Sequence, residues 1–236
     1  MLLNINNLSR KFDGKEVLNI PQLSIEQGEL VGILGNNGAG KTTLFRLCLN
    51  LLQATEENVS INNHNVALSS EWKKYTSAFI DDHFLIDFLT PMEHFDFTGY
   101  LYGVDKLDIM NLLNDFISFL GEEILKDKKK RIEKFSKGNK QKIGIVSAMI
   151  TLPKLLILDE PFNFLDPSSQ IQMKKLLQNY NQKYKATVLL SSHNLQYIMD
   201  VCSRITVLES GRIVHDVSNP DEAAKTAVKN YFENRL

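Results

Sequence analysis

The nine residues "GNNGAGKTT", Gly35 to Thr43, follow directly on the apolar run "ELVGIL". Three glycines between a strand-like run and a helix-like run mark a backbone that bends sharply or comes close to something. Gly35, Gly40, Lys41 and Thr42 satisfy the pattern G-x-x-x-x-G-K-S/T, which chance supplies in roughly one per cent of chains of this length. The flanks are those the pattern requires, an apolar strand before and an amphipathic helix after. The physical reading is a loop of Gly35, Asn36, Asn37, Gly38, Ala39 and Gly40 whose N–H groups converge on phosphate oxygens. The positive end of the following helix adds to that attraction. Lys41 then reaches the β- and γ-phosphates, the Thr42 hydroxyl ligates Mg²⁺, and Thr43 completes the phosphate-binding set.

A second motif, "LLILDEP", spans Leu155 to Pro161. Two carboxylates at the C-terminal end of a buried apolar strand are costly unless their charges are used. Asp159 suits the Mg²⁺ shell, directly or through a bound water. Glu160 suits a general base that orients or deprotonates the attacking water. Together the two motifs predict a nucleoside triphosphatase, or at least a nucleotide binder.

Composition sets bounds on this reading. The chain has 236 residues, 43% hydrophobic and 23% charged, with a net charge of −1; that suits an ordinary globular chain and gives no global signal for nucleic acid. Cys48 and Cys202 both lie in apolar patterns and read as small buried hydrophobes of a reducing compartment. The N-terminus has no signal-peptide pattern, and the longest apolar stretch is broken by Pro153 and Lys154, so the expectation is a cytoplasmic chain.

Strand runs are predicted at "LLNIN", "VLNI", "QLSIE", "LVGIL", "NVSIN" and "TSAFI", with a helix through "KTTLFRLCLNLL" that buries Leu44, Leu47, Cys48, Leu51 and Leu52. From about Pro91 to Ile150 the pattern turns helical: "PMEHFDFTGYLYG", "LDIMNLLNDFISFLG" and "NKQKIGIVSAMI". Strands and helices alternate again from "KLLILDE" to a final helix from Pro220, which implies parallel strands with crossover helices. The expected fold is α/β, a P-loop core of about 1–81 and 152–236 with a mostly parallel sheet. An N-terminal antiparallel β subdomain and a helical insertion of about 82–151 complete one domain over 1–236.

Further motifs carry a resemblance to the ATP-binding cassette (ABC) ATPases over nearly the whole chain. "FSKGNKQK", 135 to 142, resembles the signature L-S-G-G-Q-Q-Q-R, and resembles more closely an S-K-G-x-K-Q variant of exporter-type cassettes. "NFLDP", 163 to 167, resembles the loop after the strand carboxylates, and "LLSSH" places His193 at the switch-loop position. "RKFDGKEVL" places Phe12 where the family stacks an aromatic on adenine, an interaction worth about 0.5–1.5 kcal/mol by analogy with aromatic pairs. Phe12 also reads as an ordinary edge-strand aromatic.

The resemblance implies an ATP- and Mg²⁺-dependent ATPase subunit of a membrane transporter, an exporter by its signature variant. Separate transmembrane subunits would be its partners and the cytoplasmic face of the membrane its location. Ser136, Lys137 and Gly138 would close on the ATP held by the other protomer of a homodimer. His193 would donate to the γ-phosphate, and Asp166 would help bridge the two sites. Asp81 falls where the family has a γ-phosphate-sensing glutamine; it either ligates Mg²⁺ or is only an acidic residue of the hinge. Lys137 replaces the first signature glycine, with its backbone N–H still available. The competing class is a soluble cassette ATPase acting on a macromolecular complex. It usually shows a second cassette or long coiled coils, neither of which is present, and no nucleic-acid partner is expected.

Overall fold

The computed structural model describes residues 1–56 and 58–233. A six-stranded sheet forms the centre, built from β3 (Leu30–Leu34), β6 (Thr76–Phe79), β7 (Leu155–Leu158), β8 (Thr187–Ser192), β9 (Arg204–Glu209) and β10 (Arg212–Ser218). Its strand order is β10-β9-β3-β8-β7-β6, parallel throughout except for antiparallel β10. β3, β7 and β8 are buried along their whole length, which is why they read as unbroken apolar runs. Their two faces enter different cores. Ile33, Ile157 and Leu189 face one cluster with Leu44 and Phe45. Leu34, Leu158 and Leu190 face the other with Phe116, Val146 and Tyr180.

The second sheet, β2-β1-β4-β5, comprises β1 (Leu3–Phe12), β2 (Lys15–Ile25), β4 (Val59–Ile61) and β5 (His64–Asn65). It is antiparallel, as expected, and shares its core with α1 (Lys41–Cys48). "VLNI" and "QLSIE" form one strand, not two. Pro21 lies between them, and the pairing skips it and Asn7. β2 is an edge strand, where a missing N–H costs least.

α2 (Pro91–Leu101), α3 (Lys106–Leu120), α4 (Glu122–Lys126) and α5 (Lys137–Met149) all intervene between β6 and β7, which are adjacent in the sheet. α2 starts with Pro91 at its first position and a reciprocal Thr90–Glu93 capping box; these features fix the helix start. After β7 come α6 (Pro167–Tyr184), α7 (Leu195–Val201) and α8 (Glu222–Glu233). α1 ends earlier than its periodicity implies. Asn50 adopts φ +50°, and Leu51 is exposed and not part of the buried face. Cys48 and Cys202 are both buried and are not joined in a disulfide. Among the described residues no helix is long and apolar enough to cross a membrane.

The β9–β10 ladder carries a partly exposed ion pair. Arg204 Nη2 lies 2.6 Å from Asp216 Oδ2 and its Nε donates to Oδ1 at 2.9 Å, with Thr206 also donating. Burial pushes the Asp216 carboxyl up, but these donors and the guanidinium charge leave it below its ordinary value. Its contribution is therefore present above the unfolded value of about 3.9 and is lost as pH falls through the depressed folded value. Asp216→Asn is expected to cost about 1 kcal/mol in urea unfolding at pH 7. The gap to the parent should close as the pH is lowered below about 4.

Candidate functional site

β3 delivers the chain to the glycine loop, and α1 begins at its far side. Gly40 caps α1 with φ +106°, a conformation a side chain at this position would strain. Asn36, Asn37 and Gly38 are exposed and Ala39 is buried, so the loop lies at the surface above a packed base. Lys41 folds back over the loop. Its Nζ donates to Gly35 O at 2.6 Å and to Asn36 O at 3.3 Å, and it pairs with Glu160 Oε1 at 3.1 Å. Thr43, next in the helix, is half-buried.

The Thr42 hydroxyl donates to Asp159 Oδ2, and the Ser191 hydroxyl to Asp159 Oδ1. Ser191 Oγ also accepts the Glu160 N–H at 2.8 Å. Burial pushes the Asp159 carboxyl up, and the neighbouring Glu160 charge adds to this; the two hydroxyls and Lys41 pull the other way. Glu160 itself adopts φ +46°, a left-handed backbone for a non-glycine residue that costs on the order of 1–3 kcal/mol. That turn aims its carboxylate away from the strand. Glu160 Oε2 meets His193 Nδ1 at 2.9 Å, while Gln141 Nε2 donates to Glu160 O at 3.2 Å. Two residues from the loop helix, two from the end of β7 and two from the end of β8 thus meet at one end of the sheet. A cavity of about 270 Å³ opens there, lined by Thr42, Asp81, Asp159, Glu160, Lys137 and Gln141 among others.

Hydroxyl and carboxylate oxygens are the donors a hard cation such as Mg²⁺ takes. The Thr42–Asp159 pair therefore fits such an ion, and Lys41 with the loop N–H groups fits a polyphosphate beside it.

The ABC transporter family model matches residues 18–163, from within β2 to the residues just after the carboxylates. The chain belongs to this family. It is 32% identical over 225 residues to an uncharacterized ABC transporter ATP-binding protein, YcbN, of Bacillus subtilis (strain 168), covering 93% of this chain and 70% of that one. It is 32% identical over 213 residues to the tungstate uptake system ATP-binding protein TupC of Peptoclostridium acidaminophilum, covering 90% and 97%. A solved ATP-binding subunit of an ABC transporter superposes with a TM-score of 0.87 at 26% identity, covering 100% of this chain and 99% of the other. The chain is thus an ABC-type ATPase with the α/β P-loop fold expected of it. The expectation of export finds no such support, since the TupC system is named for uptake.

In this ABC ATPase the remaining predicted residues are placed as follows. Ser136 is exposed and caps α5, its hydroxyl accepting the Asn139 N–H at 3.2 Å. Lys137 and Gln141 line the cavity, whereas Ser136 and Gly138 lie outside its lining. A Cβ on Gly138 would sit 2.6 Å from Phe164 O, so the start of the signature helix packs on the loop after the carboxylates. Asp166 caps α6, accepting from the N–H and hydroxyl groups of both Ser168 and Ser169. These donors hold its carboxyl far below the usual range. Its carboxylate is engaged with its own helix. Phe12 lies at the exposed end of β1 with the Arg10 guanidinium 4.4 Å above its ring, away from the cavity. Asp81 lines the cavity and pairs with Arg46 at 3.3 Å.

Ser191 is a site residue that motif reading did not single out, and Gln141 was read only as part of the signature motif. The signal for Ser191 lay in two consecutive serines ending an apolar strand. Buried hydroxyls require partners, and here the partners are the two site carboxyl residues. Ser191→Ala removes a donor to Asp159 and leaves the Glu160 amide unpaired. It is expected to lower ATP turnover about tenfold or more, and to cost about 1–3 kcal/mol in denaturant unfolding.

Proposed function

We propose that this chain is the ATP-hydrolysing subunit of a membrane transporter, acting with Mg²⁺ as a dimer beneath separate transmembrane subunits on the cytoplasmic face of the membrane. The observation that carries the reading is the convergence of Lys41, Thr42, Asp159, Glu160 and His193 at one sheet end. The direction of transport forms no part of the proposal.

In the nucleotide complex the loop N–H groups of Gly35 to Gly40, with those of Lys41, Thr42 and Thr43, hold the phosphates. Lys41 turns from Glu160 towards the β- and γ-phosphates. Thr42 and Asp159 hold Mg²⁺, which when bound neutralises phosphate charge. Glu160, freed from Lys41 and oriented by His193, accepts a proton from the attacking water. His193 also faces the γ-phosphate. The strained backbone of Glu160 keeps the base pre-aimed, so little reorganisation accompanies reaction.

The second protomer supplies Ser136 and the N–H groups of Lys137 and Gly138 to the same triphosphate. Support for that closure comes from the exposure of Ser136 and Lys137 and from the exposed Phe164 beside them, 5.3 Å from the Lys137 ammonium. Phe12 is the candidate for adenine stacking. The membrane partner would meet the helical insertion, where Phe84, Phe88 and Phe97 are exposed while Phe95 forms core. Apolar surface of that kind marks interaction sites.

Lys41→Ala is expected to reduce ATP affinity at least tenfold in equilibrium binding. Glu160→Gln should keep ATP affinity within about twofold, abolish steady-state hydrolysis, and accumulate an ATP-bound dimer in size-exclusion chromatography. Hydrolysis by Glu160→Gln at the parent rate would remove Glu160 as the base. Failure of the native protein, solubilised in detergent, to copurify with any membrane subunit would remove the transporter role.

A further inference from the structure

His193 reaches Glu160 from a short connector. β8 ends at Ser192 and α7 begins at Leu195, so only His193 and Asn194 lie between them. The imidazole is 45% exposed, and little packing holds it. Its direction therefore follows that of α7. Asn194 joins the connector to the helix: its side chain accepts the Gln196 N–H at 2.9 Å, and its own N–H donates to Ser192 Oγ at 2.9 Å.

Two contacts in turn hold α7. Ile198 is fully buried against β3. A Cβ on Gly32 would lie 2.6 Å from Ile198 Cγ2, so this glycine lets the helix sit close on the sheet. That anchor sets the height of α7 and leaves its roll open. The second contact is Tyr197, whose ring stacks on Phe162 with centroids 4.5 Å apart and planes inclined by 25°. Phe162 is 2% exposed and follows Glu160 by two residues, so it is a fixed platform tied to the end of β7. Lys174 on α6 steadies the same ring. Its ammonium lies 5.3 Å from the Tyr197 centroid and pairs with Asp200 on α7.

The segments leaving β7 and β8 are thus joined twice, by Glu160 with His193 and by Phe162 with Tyr197. Neither of the stacked rings lines the cavity at the sheet end. Resting on the reading of Glu160 as the base and His193 as its orienting partner, we propose that Tyr197 is a positioning residue for hydrolysis. Its ring, held on Phe162, fixes the roll of α7 and with it the place of His193 beside the Glu160 carboxylate. Loss of the ring leaves the phosphate loop intact and lets the imidazole drift. A misplaced orienting group costs rate and not affinity. The contacts to Phe162 and Lys174 are both made by the ring, so the hydroxyl is dispensable for this role.

Steady-state ATP hydrolysis by the full chain, with ATP affinity from equilibrium binding in the absence of Mg²⁺, tests this in the parent, Y197F, Y197L, Y197M, H193A and the H193A/Y197L pair. Y197L and Y197M each remove the ring and keep apolar bulk, so either one serves if the other folds poorly. Both are expected to lower kcat about three- to tenfold, the worth of an aromatic pair, with ATP affinity within about twofold of the parent. Y197F should restore the parent kcat. Y197L should cause no further loss in the H193A background, because the ring acts through His193.

An equal proportional loss of kcat with and without His193, or a loss of ATP affinity as large as the loss of kcat, overturns the proposal. H193A separates it from the reading beneath it. If H193A slows hydrolysis while Y197L and Y197M turn over at the parent rate, only the Tyr197 role falls. If H193A itself turns over at the parent rate, the orienting role of His193 falls, and the Tyr197 role falls with it.

Discussion

The site is organised by one buried carboxylate. Asp159 receives hydroxyls from Thr42 and Ser191, far apart in sequence and brought together by the sheet order that places β3 and β7 on either side of β8. Burial raises the cost of its charge, and two donors offset part of that cost. The arrangement is poor economy for a fold alone. It becomes intelligible once a cation is to be held between a hydroxyl and a carboxylate, since a buried carboxylate is a stronger ligand for being incompletely solvated.

The same logic extends to the neighbours. Glu160 is held by Lys41 on one side and His193 on the other. The left-handed backbone at Glu160 shows that the chain sacrifices local comfort to aim this side chain. Rigid elements carry all of these groups: the first turn of α1 and the ends of β7 and β8. Only Asp81 lies on a short turn leading elsewhere, into the helices between β6 and β7.

Much of this was legible in the residues. The phosphate loop and "LLILDEP" could be read because a glycine bend and a charge after four apolar residues are each costly without a purpose. The parallel core was legible because β3, β7 and β8 are buried on both faces and leave unbroken apolar runs. Other parts were hidden for definable reasons. Pro21 hid the continuity of β2, since an edge strand tolerates what a central one does not. Asn50 ended α1 before Leu51 although the helical spacing continued, because a left-handed residue overrides periodicity. Ser191 was hidden because its meaning depends on a contact 32 positions away. The four hydrogen bonds that Asp166 accepts from Ser168 and Ser169 were readable as an N-cap pattern, D-P-S-S, had the family role not drawn attention first.

The central claim is that the Asp159 charge is retained for a cation and not for stability. Thermal unfolding of the parent and Asp159→Asn, each with ATP alone and with ATP plus Mg²⁺, measures this directly. The account predicts that the nucleotide-free variant melts no lower than the parent, and that Mg²⁺ raises the midpoint of the ATP-bound parent but not that of the variant. A variant that is less stable without nucleotide yet keeps the full Mg²⁺-dependent rise would contradict it.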